Sequence, residues 1–187
     1  MIRDAEATRA RLLAAARREF AAYGIAGARV DRIAAEANSN KAQIYHYFGN
    51  KDGLFDAVFT GIVEQVVTGI PLDVDDLPGY AVKLARGYDE HPDILRLSTW
   101  HRLERGDSAL VEAAVRSNQT KVDQIAAAQR EGRLTTHYPP GVLLALVLHT
   151  AAVWASTPDE LAGVIGPTSP ETRHRLVHDA VRALLSA

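Results

Sequence analysis

Residues 30–48 read Val30-Asp31-Arg32-Ile33-Ala34-Ala35-Glu36-Ala37-Asn38-Ser39-Asn40-Lys41-Ala42-Gln43-Ile44-Tyr45-His46-Tyr47-Phe48. Val30, Ile33, Ala34 and Ala37 recur at helical spacing and predict a short helix over 30–37. Asn38, Ser39 and Asn40 interrupt it. A second short helix is expected from Lys41 to Tyr47: Asn40 can cap it, and Gln43 three residues on completes a capping-box pattern. The turn needs a residue that tolerates positive φ. Asn38 can supply it, because Asn visits the left-handed region more readily than other non-glycine residues. Two short helices joined by three residues make a helix-turn-helix. Ala34 must be small where the helices cross, and Ile33 and Ile44 fill the space between them.

The second helix then has an unusual outer face, with Lys41, Gln43, Tyr45, His46 and Tyr47 inside seven residues. Rings with hydroxyl or imidazole tips, interleaved with Lys, suit phosphate and base-edge contacts in a major groove. Phe48 reads as core and Tyr45 as partly core. Three consecutive rings cannot all face inward on one helix, so His46 or Tyr47 must be exposed. Lys51 and the amides that open the next helix can hold a further phosphate.

Outward from this stretch, helical periodicity continues and strand-like alternation is nearly absent. A first helix is expected from Asp4 to Tyr23, with Leu12, Leu13, Ala16 and Phe20 on one face and Gly24 as its left-handed stop. Asn50 is placed to cap a long helix from Lys51 to Thr68, striped by Leu54, Phe55, Val58, Phe59, Ile62 and Val66. The acidic, loop-like segment from Pro71 to Gly79 follows. Residues 1–50 are therefore expected to form a head, joined by the 51–68 helix to a body over 69–187. Five body helices are expected: Tyr80–Asp89, Pro92–Arg105, Ser108–Glu131, Pro140–Ser156 and Pro170–Ser186. Gly106, Gly132 and the Thr157–Pro170 stretch separate them. The fold class is all-α, with about nine helices.

The composition is that of a globular chain: 187 residues, 47% hydrophobic and 24% charged. It has no cysteine, which excludes disulfides and thiolate metal sites. The net charge is −2, but residues 1–60 carry nine Lys/Arg and seven Asp/Glu, and residues 61–187 twelve and sixteen. A mildly basic head on an acidic body fits a protein that presents one end to DNA. The apolar run from Leu12 to Ala16 is short and flanked by Arg11 and Arg17, unlike a secretion signal. Val142–Ala155 is the most apolar stretch, yet a bilayer span needs about 20 residues and this one includes His149 and Thr150. It reads as a buried helix, and the chain as cytoplasmic with no membrane partner.

Thr8-Arg9, Leu12-Leu13-Ala14-Ala15-Ala16, Phe20, Tyr23-Gly24, Val30, Ile33-Ala34, Ala37, Ile44-Tyr45-His46-Tyr47-Phe48, Lys51 and Leu54-Phe55 together resemble the tetracycline-repressor (TetR) family of bacterial regulators. The likeness covers residues 8–58, and Tyr-x-Tyr-Phe-x-x-Lys is its specific part. Two departures stand out. The family's turn usually reads Gly-Val-Ser, where this chain has Asn38-Ser39-Asn40, so a small apolar plug is missing and a looser turn is expected. Arg29 stands where Thr or Ser usually opens the preceding helix. The resemblance implies a nucleoid-associated regulator that holds double-stranded operator DNA as a homodimer and answers to a small-molecule effector. It places DNA contacts at Arg29, Asn40, Lys41, Ala42, Gln43, Tyr45, His46, Tyr47 and Lys51. Gln43 and His46 are assigned to bases, Lys41, Tyr47, Lys51 and Arg29 to phosphates, and Ala42 to close approach or a thymine methyl.

In the body, Tyr88, Trp100, His101, Leu103, His149 and Trp154 are candidate pocket residues, with ordinary core packing as the alternative for each. His149 lies in so apolar a helix that its imidazole needs a partner: a ligand, a side chain or water. His174 and His178 have i, i+4 spacing beside Asp179, but two His on one helix without a third ligand argue against a metal. No cofactor is implied. The last two helices are expected to dimerise through Leu144, Val147, Leu148 and Ala151 on one and Leu176, Val177, Ala180, Val181 and Leu184 on the other. No catalytic triad order, carboxylate pair, phosphate loop or zinc motif supports an enzyme. The remaining alternative is a helical small-molecule-binding or interaction module that has lost operator reading.

Overall fold

Helix breaks in this chain fall where glycine, asparagine and proline put them. The computed structural model describes residues 2–105 and 112–186, and among these there are ten helices and no strand. They are α1 (Ile2–Gly27), α2 (Val30–Glu36), α3 (Lys41–Phe48), α4 (Lys51–Gly69), α5 (Leu77–Glu90), α6 (Asp93–Arg105), α7 (Glu112–Arg130), α8 (Pro140–Ser156), α9 (Asp159–Ile165) and α10 (Pro170–Leu185). The expected boundary residues Gly106 and Ser108 lie outside the described residues.

Three differences from the sequence reading have local causes. Gly24 interrupts α1 without ending it: at φ 71°, ψ −178° it occupies a region that is essentially glycine's alone, and one more turn follows to Gly27. Helix α5 starts three residues early, because Asp76 accepts the Gly79 N–H at 2.8 Å and Pro78 suits the first turn. Helix α9 occupies part of the stretch expected to be a separator. Its first turn carries Asp159 and Glu160, where the helix dipole favours negative charge, and none of its residues is buried.

The turn between α2 and α3 is well defined despite its unusual sequence. Asn38 has φ 49°, the one positive φ outside glycine among the described residues. Its N–H donates to Ala35 O (3.1 Å), and the Ser39 N–H donates to Ala34 O (2.9 Å). These two bonds form a complete Schellman termination with asparagine in the usual glycine position. Backbone bonds close the turn without an apolar plug. Asn40 caps α3 by accepting the Gln43 N–H (3.0 Å), and Asn50 caps α4 by accepting the Gly53 N–H (2.8 Å).

Contacts divide the chain into two units. One contains α1, α2, α3, α4 up to Gln65, and α6. Its core holds Leu12, Phe20, Ile33, Ile44, Leu54 and Phe55, all with no exposed surface. The Phe20 and Phe55 rings meet edge to face at 5.1 Å. The other unit runs from Val66 to Pro92 and resumes at Glu112. There α5 packs on α8 and α10, and α7 on α8, around Tyr80, Ala81, Leu84, Ile125, Leu143, Val147 and Val181.

Burial corrects the expected dimer faces. Leu144, Val147, Ala151, Val177 and Val181 are already buried within the chain. The exposed stripe of α8 is instead Val142, Leu146, His149 and Val153, of which Leu146 is half-buried, while on α10 the expected Leu176 and Ala180 are exposed, together with Ala183.

The Asn38 conformation is directly testable. Asn38→Val should lower unfolding stability by about 1–2 kcal/mol, the cost of a left-handed β-branched residue, in urea titrations. Asn38→Gly should leave stability unchanged or raise it.

Candidate nucleic-acid interface

The rotation of α3 decides which side chains face outward. Ile44 is fully buried in the head core and Ala34, at 5% exposed, leaves room for the crossing with α2. That anchor turns Lys41, Ala42, Tyr45 and His46 to solvent and leaves Gln43, Tyr47 and Phe48 half-buried. Tyr45 is 51% exposed, more than the sequence reading gave it. The His46 and Tyr47 rings lie edge to face at 5.2 Å, and the Arg9 guanidinium stands 5.5 Å above the Phe48 ring. Of the nine residues named from the sequence, Asn40, Lys41, Ala42, Gln43, Tyr45, His46 and Tyr47 share this cap and helix. Arg29 is exposed at the N-cap of α2 without a side-chain capping bond, and Lys51 opens α4.

Two of the cations already have protein partners. Lys41 pairs with Asp31 in the first turn of α2, both exposed. Such a surface pair is worth only about 0–1 kcal/mol, so a phosphate can displace it cheaply. Lys51 Nζ donates to Ala26 O (3.1 Å) and Ala28 O (3.3 Å), which uses two of its three N–H bonds on the backbone of the last turn of α1 and the residue just past it.

That backbone contains the features sequence reasoning missed. Glu19, 5% exposed, accepts the Arg29 N–H (2.9 Å) and the Arg32 Nε–H (2.8 Å). Burial alone raises its pKa, but the Arg32 guanidinium and the Arg29 N–H outweigh it and hold the carboxyl below its ordinary value. Arg32 in turn lies 4.3 Å over the Tyr23 ring. Glu104 of α6 accepts the N–H groups of Ile25 and Ala26. Arg96 donates to Ala21 O (3.0 Å), and Arg17 pairs with Asp93. No local pattern announces these bonds, because their partners are distant in sequence.

The six candidate pocket residues fall in two groups. Trp100, His101 and Leu103 belong to α6 in the head unit. Trp100 lies beside Gly24, His101 stacks on Phe59 at 4.1 Å, and Leu103 is 67% exposed. Burial and the charge of Arg105 lower the His101 pKa, with Asp56 opposing. Tyr88, Trp154 and His149 belong to the other unit, where Tyr88 and Trp154 pack half-buried on its core. His149 is exposed, and its Nδ1 donates to Ala145 O (2.8 Å) in its own helix, which answers the question of its partner. His174 Nε2 meets Asp89 at 2.9 Å, and His178 Nδ1 meets Asp179 at 3.3 Å. No metal-binding group of three or more such residues occurs among the described residues. No single described helix is long and apolar enough to cross a membrane.

A helix-turn-helix whose second helix exposes a polar, basic and aromatic face is the head of a DNA-binding transcriptional regulator. Comparison with known proteins makes the class specific. Residues 12–58 match the family described as bacterial regulatory proteins, tetR family, and residues 76–183 match the tetracyclin repressor-like C-terminal domain. The chain belongs to the TetR family. It is 42% identical over 155 residues to the HTH-type transcriptional repressor SCO4008 of Streptomyces coelicolor, covering 82% of this chain and 80% of that one. The crystal structure of SCO4942, also from Streptomyces coelicolor, superposes with a TM-score of 0.85 at 38% identity, covering 95% and 97% of the two chains. Salmonella enterica GusR shares the fold, with a TM-score of 0.67 at 21% identity over 96% of each chain.

The depressed Glu19 carboxyl has a pH signature. Its ordinary value is 4.5 and its folded value is lower, so its stabilisation is present above 4.5 and is lost as pH falls through the folded value. Glu19→Gln should lower the unfolding temperature at neutral pH. It should also flatten the decline of stability below pH 4.5, as measured by calorimetry across a pH series.

Proposed function

We propose that the chain is a ligand-responsive repressor, not an enzyme, that holds a palindromic operator as a homodimer. The observation that carries the reading is the exposed face of α3, fixed by the buried Ile44. Gln43 and His46 read base edges, and Ala42 permits close approach or touches a thymine methyl. Lys41, Tyr47, Lys51 and Arg29 hold phosphates, and Asn40 and Tyr45 complete the contact surface. The name of the Streptomyces coelicolor relative supports repression.

Dimerisation through α8 and α10 is supported by the exposed stripes of Val142, Leu146, His149 and Val153 and of Leu176, Ala180 and Ala183. Two-fold symmetry would set the recognition helices about 34–36 Å apart, on successive major grooves. Residues 1–50 act as the DNA-holding head, the 51–68 helix leads out of it, and the effector-binding and dimerising function of residues 69–187 is carried by their part outside α6, since α6 packs with the head unit.

The effector reading is supported by unpaired donors in the body. The Tyr80 hydroxyl and the Trp154 indole N–H are buried with no hydrogen-bond partner among the described residues. Burial, with the neighbouring Tyr88 adding to it, pushes the Tyr80 hydroxyl pKa up to about 12, so it stays a neutral donor. A bound effector displaces α4 and with it the head. Effector and operator then weaken each other's binding by the same factor.

Selection of duplexes from a random pool tests the proposal. A palindrome with half-sites one helical turn apart is expected; recovery of no preferred sequence would favour an interaction module without operator reading. On the selected duplex, Gln43→Ala should relax preference at one base position, costing about 1–3 kcal/mol of discrimination. Lys41→Ala should weaken all duplexes and reduce the salt slope by about 0.9.

A further inference from the structure

Residues 24–28 carry the chain from α1 into α2, and side chains from two other helices hold both polar sides of that bend. On the N–H side, the Glu104 carboxylate accepts from Ile25 through Oε1 (3.0 Å) and from Ala26 through Oε2 (2.8 Å). On the carbonyl side, Lys51 donates to Ala26 and Ala28. Gly24 permits the approach. A Cβ there would stand 2.8 Å from Glu104 Oε1 and 3.0 Å from the Trp100 ring. Arg105, next to Glu104, reaches Asp52 in the first turn of α4 at 3.1 Å. These charged groups line an open cleft of about 180 Å³ with Ile25 and Ala26.

We propose that Glu104 is a positioning residue for operator binding. Its carboxylate fixes the bend that carries α2, and α2 carries the recognition helix. This role for Glu104 depends on α3 being the helix that enters the groove. Glu104 lies on α6, shares its cleft with Lys51 alone among the residues assigned to DNA, and is acidic, so it makes no favourable phosphate contact. What it supplies is geometry. Two N–H groups just past a glycine break donate to the same carboxylate, one to each oxygen, through charge-assisted bonds. Glu19 fixes the far end of the same segment through the Arg29 N–H. With the bend held at both ends, α2 and α3 keep one orientation in the head. A bend released at Glu104 lets the recognition helix depart from that orientation, which two heads on one duplex tolerate poorly.

The test uses the full chain, the selected duplex and an unrelated duplex. Glu104→Ala should weaken binding to the selected duplex about tenfold or more, within the range of allosteric couplings. The unrelated duplex and the salt slope should match the parent, since no phosphate contact is removed. Amide exchange at Ile25 and Ala26 should accelerate in the same variant. Glu104→Gln keeps one acceptor oxygen and the side-chain size, so it should fall between parent and Glu104→Ala; it also decides the matter if the alanine variant does not fold. Faster exchange at Ile25 and Ala26 with parental operator affinity would overturn the proposal, as would unchanged exchange in both variants. A Lys41→Ala variant with a parental salt slope would instead overturn the reading of α3, which separates the two failures.

Discussion

Burial of Ile44 is the constraint on which the rest of the head depends. An eight-residue helix has too few turns to be stable alone, and α3 persists because it is packed. Fully burying one isoleucine side chain is worth about 1.5–3 kcal/mol. Rotating α3 by one residue would expose that side chain and turn the Tyr45 phenol or the Gln43 amide inward, where an unpaired polar group costs roughly that much again. The rotation is therefore set by one core residue and a ring of polar neighbours. The Asn38 turn and the Asn40 cap fix where the helix begins, and Asn50 fixes where the next one starts.

Local chemistry explains how much of this was legible in the sequence. Asn38, Asn40 and Asn50 act on atoms within a few residues, so their roles could be read directly from the order of the chain. Burial of Ile33, Ala34 and Ile44 followed from the same short stretch and its spacing. Bonds that span the chain were invisible: Glu104 and Ile25 are 79 residues apart, and a lone Glu near the end of an amphipathic helix looks like any solvated charge. Helix α8 misled for another reason. It is apolar nearly all round, so the sequence could not say which stripe is used inside the chain and which outside. Helix α9 escaped because a seven-residue helix with no buried residue leaves no periodic pattern.

The electrostatics of the head point to recognition by shape and register more than by bulk attraction. Its positive excess is small, and many of its cations are paired internally: Arg18 with Glu36, Arg32 with Glu19 and Lys41 with Asp31, while Arg17 pairs with Asp93 of α6. Exposed pairs of this kind exchange readily for phosphates. The Glu19 pair is different, because its carboxylate is buried and also serves a backbone N–H. The head thus keeps exchangeable cations where DNA would lie and fixed ones where α2 must be held.

The absence of cysteine permits a direct measurement of the central claim, that the outer face of α3 lies in the groove. A single Ala42→Cys substitution places one thiol in the middle of that face, and a separate Val164→Cys control places one on the exposed side of α9. Maleimide labelling should be fast at both positions in the free protein. Saturating operator duplex should block the thiol on α3 and leave the control untouched. Equal labelling of the α3 thiol with and without bound duplex would contradict the account.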